Sequence, residues 1–493
     1  MPSTLLKSLR RVCADRRMRV LAALLLIAAA VFLSRRPADA FAEPDWNRVT
    51  QEAAEHLSAL VRIRTPQPEG HELDAARYLK SVCDREGIEN YIFESAPGRG
   101  NFVARLKGDG SAKPILLMAH LDTVGVEPKL WSDDPFSGKV KDGYIYGRGS
   151  QDDKNILAAH LTALLLIKRA GVLLRRDIIL LGEADEEQGI GLGIEWMIKN
   201  KPEWVDVEYS ITEGGTSLLD AATGKVKYFG IQTQEKVPVN IKVETRGVSG
   251  HASIPRPDNP VVRLARAISN IGASETPVKL DQTTLRFFET VAATSTGEDK
   301  KLYESLVKAA TAKNPDQNQL KQMARAVLAR NLRFAAVLRT TISPTVMNGG
   351  FQNNVIPGTA EANLNIRMLP DDTVNNVLEH LRRAVNDPLI TFTPAKLTRA
   401  ALPATPTDTE MFRAFEKSVK VMSPDTIVTP YMSTWATDSS QLRQRGVKAY
   451  GVLWPNTPDE ELGFHGNDER IRVSSLGWGT QLMWRVAMQM AAK

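Results

Sequence analysis

Cysteine is almost absent from this chain: among 493 residues only Cys13 and Cys83 carry a thiol. Cys13 precedes an apolar stretch that reads as a leader, so an exported product would not keep both, which argues against an intramolecular disulfide. Long hydrophobic runs are scarce too. Residues 20–33 form an apolar run of about 14 residues, short of the ~20 that a spanning helix needs. Repeats and low-complexity tracts are missing, which excludes solenoids and fibrous folds. A basic excess is also lacking beyond the N-terminus. The net charge is +6, but Arg10, Arg11, Arg16, Arg17, Arg19, Arg35 and Arg36 supply much of it, and the near-neutral remainder gives no reason to expect a nucleic-acid partner.

What is present is the composition of a water-soluble globular protein, 43% hydrophobic and 24% charged. The N-terminus is the exception. Arg16, Arg17 and Arg19 precede the apolar run and Ala38-Asp39-Ala40 follows it, the order of a secretory signal. Arg35 and Arg36 directly after the run are unusual for a cleaved signal. We expect export, periplasmic or extracellular, with residues 1–44 acting as a cleaved signal or as a retained membrane anchor. A buried helix is the weaker reading, because the run has no polar face.

A chain of this length exceeds a single core and divides into domains. Apolar spacing predicts helices over residues 46–63, 73–83 and 155–168. Short apolar runs at 91–93, 102–106, 115–118, 177–181 and 207–212 predict strands between them, the alternation of a layered α/β domain. After about Glu235 the pattern changes. Val239, Ile241 and Val243 alternate with Asn240, Lys242 and Glu244, and Ala362, Leu364, Ile366 and Met368 alternate with Asn363, Asn365 and Arg367. These are strands of a sheet with one exposed face. With helices over 260–271, 317–334 and 374–385, they predict an α+β domain, 237–396, inserted into an α/β domain of 45–236 and 397–493. Helical pattern resumes at 410–421 and closes the chain from Trp478.

Chemistry-bearing residues fall at strand ends. His120 and Asp122 follow the run 115–118, two apart and so on one face, where a carboxylate can orient an imidazole. Gly147-Arg148-Gly149-Ser150-Gln151-Asp152-Asp153-Lys154 is a glycine turn opening a helix. It shares two glycines with a dinucleotide fingerprint, but Asp152 stands where the third belongs and would repel a pyrophosphate. Helix capping explains one of its acids and not both. Asp185, Glu186 and Glu187 follow the strand 177–181, and three neighbouring carboxylates there repel one another unless something positive lies among them. Glu213 ends the run 207–212, and His465 stands in Gly463-Phe464-His465-Gly466.

In order and spacing these motifs resemble the aminoacylase, carboxypeptidase and glutamate carboxypeptidase family of dizinc metallopeptidases. The resemblance runs from about Asp45 to the C-terminus. Residues 142–149, Asp152-Asp153-Lys154-Asn155 and the helical insert are most similar to carboxypeptidase S and the N-fatty-acyl-amino-acid synthase/hydrolase. It implies a central mixed sheet flanked by helices, with an inserted α+β lid or dimerisation domain. It implies two zinc ions, with cobalt or manganese as alternatives: Asp152 bridging, His120 and Glu213 on one ion, Glu187 and His465 on the other. It makes Glu186 the general base and Asp122 the orienting partner of His120. It also implies a cis peptide between Asp152 and Asp153.

From the same resemblance, His251 in Gly250-His251-Ala252 would stabilise the oxyanion, in dimeric members from a neighbouring subunit. Asn354 and Arg367 would contact substrate, the arginine holding a free carboxylate. Ser249 is no serine-hydrolase nucleophile, because His251 occupies the last position of a Gly-x-Ser-x-Gly pattern. His56, His71, His160 and His380 lie away from the motifs and read as structural. The expected function is metal-dependent cleavage of an amide bond in small peptides or N-acyl amino acids, carboxypeptidase-like. The alternatives are an N-fatty-acyl-amino-acid hydrolase or synthase, and a binding protein that kept the fold without catalysis. The complete ligand set and the retained Glu186 weigh against the last.

Overall fold

A computed structural model describes residues 43–461 and 463–493, so the apolar run 20–33 and its flanks lie outside the described residues. Among the described residues no helix is long and apolar enough to cross a membrane.

The strand Ile115–His120 is apolar on both faces and fully buried, as a strand covered on both sides must be. It sits near the middle of a nine-stranded sheet. The spatial order is Glu89–Ala96, Arg99–Leu106, Ile178–Glu183, Ile115–His120, Tyr209–Glu213, Lys448–Val452, Val226–Glu235 and Ile427–Ser433, with Thr216–Leu219 pairing beside Val226–Glu235. The four strands from Ile178–Glu183 to Lys448–Val452 are parallel, and those at the margins make the sheet mixed.

Alternate side chains of these strands enter different cores. Ile115, Leu117 and Ala119 pack with helices Trp46–Arg62, Glu72–Arg85, Lys154–Ala170, Glu410–Met422 and Val473–Ala491. Leu116 and Met118 face Ile194, Met197 and Trp204 on the other side. The helix Trp46–Arg62 begins where the Asp45 carboxylate accepts the Asn47 and Arg48 N–H groups, and Lys154–Ala170 ends at Gly171 in the left-handed conformation.

A four-stranded antiparallel sheet, ordered Thr341–Gly349, Thr359–Met368, Val237–Arg246 and Ile390–Pro394, holds the alternating segments. Val239, Ile241 and Val243 are buried under helices Pro260–Ala273 and Val374–Val385, while Asn240 and Lys242 are exposed. Between the first of these helices and Thr341 lie Gln282–Thr294, Gly297–Ala310, Gln317–Leu328 and Leu332–Ala336. The single helix expected over 317–334 is broken, because Asn331 caps a new turn by accepting the Phe334 N–H. These four helices pack on Tyr228, Tyr431 and Met432 of the large sheet. The segment 237–396 therefore contributes to two cores. Buried Lys236, where the chain leaves one sheet for the other, donates to Ala336 O, Arg339 O and Thr341 Oγ1 at 2.9, 2.8 and 3.1 Å.

Candidate active site

The parallel strands deliver their acids and histidine to one edge, where an open α/β sheet leaves a crevice. His120 ends Ile115–His120, Glu213 ends Tyr209–Glu213, and Ile178–Glu183 runs into the loop bearing Asp185, Glu186 and Glu187. Asp152 comes from the glycine turn before Lys154–Ala170, and the peptide between Asp152 and Asp153 is cis. His465 arrives from a loop more than 300 residues further on.

Asp152 faces a histidine on each oxygen. Its Oδ1 lies 3.0 Å from His120 Nε2 and its Oδ2 lies 3.0 Å from His465 Nε2. His465 Nε2 also lies 3.3 Å from Glu187 Oε1. Donor atoms of His120, Asp152 and Glu187 fall within 4.8 Å of one another, as do those of His120, Glu186 and Glu213. Asp122 is fully buried behind them. His120 Nδ1 lies 3.0 Å from its backbone oxygen and 3.3 Å from Oδ1, while its carboxylate accepts the N–H groups of Glu186 and Glu187 at 3.2 and 3.1 Å. The capping reading of the turn fails, because the Asp153 carboxylate makes no cap bond and both its oxygens are buried without a partner.

The electrostatics describe a site short of positive charge. Burial, then the charges of Asp152 and Glu186, push Glu213 well above the ordinary carboxylate range. Burial and Asp152 raise Glu187, and burial with Asp438 raises Glu186. Burial opposes the charge on Asp152, but hydrogen bonds with His120 and His465 outweigh it and hold its carboxyl low. Hydrogen bonds to Asp152 and Glu187 push His465 up to about 10. Crowded buried carboxylates of this kind favour bound divalent cations. Imidazole nitrogen and carboxylate oxygen, in two groups that share His120, with Asp152 linking His120 to His465, fit a metal centre.

The centre opens into a cavity of about 760 Å³. Asp152, Glu186, Glu187, Glu213 and His465 line one side, with Asn240, Asn365 and Arg367 of the small sheet across from them. Arg367 donates from Nε to Asn365 Oδ1 at 3.2 Å and has no ion-pair partner among the described residues. Burial and the nearby charge of Arg399 both work against its own charge. His251 and Asn354 do not line the cavity. They stand together on the short pair Gly250–His251 and Val355–Ile356, exposed, with Ala252 N donating to Asn354 O at 3.0 Å.

Sequence patterns missed the residues that hold this arrangement. Gln67 donates to Asp122 Oδ2 at 2.8 Å. Buried Glu469 accepts the N–H groups of Gly149, Gln151 and Asp152 and the Arg148 guanidinium, fixing the turn that presents Asp152. Arg399 and Asp438 border Glu186. Only the acidic neighbours of His465 offered a hint of Glu469, since each other partner lies far off in the chain.

Residues 116–489 match the model of peptidase family M20/M25/M40. The chain belongs to that family. It is a metallopeptidase-type enzyme, similar to the human N-fatty-acyl-amino acid synthase/hydrolase PM20D1, 30% identical over 385 residues covering 74% of this chain and 72% of that one. A probable carboxypeptidase S-like 2 of Dictyostelium discoideum is 28% identical, covering 79% and 74%. Among solved structures, the M20 family metallo-carboxypeptidase Sso-CP2 from Sulfolobus solfataricus shares the fold, with a TM-score of 0.64 at 19% identity over 89% of this chain and 99% of that one.

Proposed function

We propose that this M20-family enzyme hydrolyses the amide bond of small peptides or N-acyl amino acids that carry a free carboxylate, in the manner of a carboxypeptidase. The observation that carries the reading is Asp152, which offers one oxygen to each of two histidines 3.0 Å away. It supports a pair of zinc ions, with cobalt or manganese as substitutes, held by His120, Asp152 and Glu213 and by Asp152, Glu187 and His465. Such ions, when bound, polarise a carbonyl and make water more acidic.

The chain's own groups do the rest. Glu186 takes a proton from the attacking water and delivers it to the nitrogen of the breaking C–N bond, so the products are a carboxylic acid and an amine. Asp122 holds His120 through its ring and Glu186 through its peptide N–H, which sets base and ligand in one frame. Arg367, half-buried and without a counterion among the described residues, receives the substrate carboxylate. Asn354 and His251 stand outside the cavity of the single chain, and their reading as substrate contact and oxyanion donor rests on a homodimer in which His251 serves the neighbouring copy's cavity. The arginine-flanked run 20–33 supports export or membrane anchoring.

The decisive experiment is Glu186→Gln in metal-replete protein. Turnover of a dipeptide and N-acyl-amino-acid panel should fall by ~10²-fold or more with metal content unchanged. Full activity would remove Glu186 from the mechanism. The same panel decides between peptidase and N-fatty-acyl-amino-acid hydrolase or synthase.

A further inference from the structure

Among the described residues one basic side chain lies within ion-pair distance of Glu186, and it is outside every motif. Arg399 sits on the segment that returns from the small sheet to the helix Glu410–Met422. Its guanidinium is fixed from behind: Nη1 donates to Thr437 O and lies 3.4 Å from Ser440 Oγ, and Nη2 lies 3.4 Å from Asp438 Oδ1. Nη2 also comes within 3.7 Å of Glu186 Oε1. His120 is farther from Glu186, within 4.8 Å of it. The Arg399 and Glu186 side chains are largely buried, 14% and 13% exposed, where a charge contact is screened little.

The length of the contact matters. At 3.7 Å it exceeds a hydrogen bond, so it restrains the carboxylate without occupying the lone pairs that must accept a proton. Asp438 balances the guanidinium and is itself backed by buried Glu183. Arg399 is therefore already neutralised, whereas Arg367 has no ion-pair partner among the described residues.

We propose that Arg399 is a positioning residue that holds Glu186 for proton transfer, and that it is not a second anchor for the substrate carboxylate. The proposal rests on Glu186 being the base. The test uses the full, metal-loaded chain and the variants Arg399→Ala and Arg399→Lys. Arg399→Ala should lose about 100-fold in kcat with KM changed by less than about threefold and metal content intact. Arg399→Lys should recover part of that loss, and added guanidinium ion should partly restore Arg399→Ala while leaving Glu186→Gln inactive.

A double-mutant cycle completes it. If Arg399 acts through Glu186, removing it costs less in a Glu186→Asp background than in the parent. Equal losses in both backgrounds overturn the proposal. So do a KM raised tenfold at unchanged kcat, unchanged kinetics, and loss of metal in Arg399→Lys. Full turnover in Glu186→Gln would instead fail the base assignment on its own, whatever Arg399 does.

Discussion

Asp122 touches no substrate on the proposed reading, yet it joins His120, Gln67 and the peptide N–H groups of Glu186 and Glu187. One buried carboxylate thus ties His120 to the loop that carries Glu186, on that reading a metal ligand to the base. Division of labour at this scale extends to the two arginines. Among the described residues Arg367 hydrogen-bonds only to Asn365, whereas Arg399 is held by Thr437 and Asp438. Arg367→Ala should accordingly raise KM for carboxylate-bearing substrates at least tenfold and alter kcat less, as measured against the matching substrate amides. An equal response with acid and amide substrates would remove it from carboxylate recognition.

Among elements, the turn 147–153 is shaped less by its own sequence than by Glu469. That carboxylate receives the N–H groups of Gly149, Gln151 and Asp152 at 3.1, 2.6 and 3.2 Å, and Arg148 at 2.5 Å. Glu469→Gln removes the charge and turns an amide against those donors in a buried site, a change that costs about 3–5 kcal/mol. Titration with a chelator should show weaker metal retention, and thermal melts a lower Tm; unchanged values would mean the turn holds itself.

Such long-range partners explain what was legible beforehand. His120, Asp152, Glu187 and Glu213 announced themselves because each follows a strand or opens a helix. Glu469 and Arg148 are 321 positions apart, and no local pattern connects them. Strands obey the same rule. Ile115–His120 and the alternating Val237–Arg246 were readable from hydrophobicity. Val226–Glu235 was not, because Gln232, Thr233 and Gln234 are buried in it and blur the period. Ile427–Ser433 contains Pro430, which argues against a strand until its place at the sheet margin is known. Lys448–Val452 is only five residues long and includes Gly451, where any side chain would collide with the Glu213 carbonyl.

For the molecule as a whole, acid stability has a named contributor. His160 lies fully buried in the helix Lys154–Ala170 with neither ring nitrogen partnered, and burial pushes its pKa down from 6.5 to about 3. The folded state keeps the ring neutral while the unfolded chain takes up a proton. Its contribution is complete above pH 6.5 and is lost as pH falls toward 3, by at most about 5 kcal/mol. Denaturant melts of His160→Leu should show a shallower decline over that window than the parent. Parallel curves would mean the histidine finds solvent before the chain unfolds.

The cavity is walled by two sheets that the chain joins at two crossings, one through residues 395–409 and one at Lys236, which is gripped by Ala336, Arg339 and Thr341. On the proposed reading, the grip for a substrate's carboxylate rides on one sheet and the scissors on the other. The tilt between them then works as a caliper: it sets how many backbone atoms separate the end of a peptide from the bond that is cut, and Lys236 fastens the chain at one of its two joints.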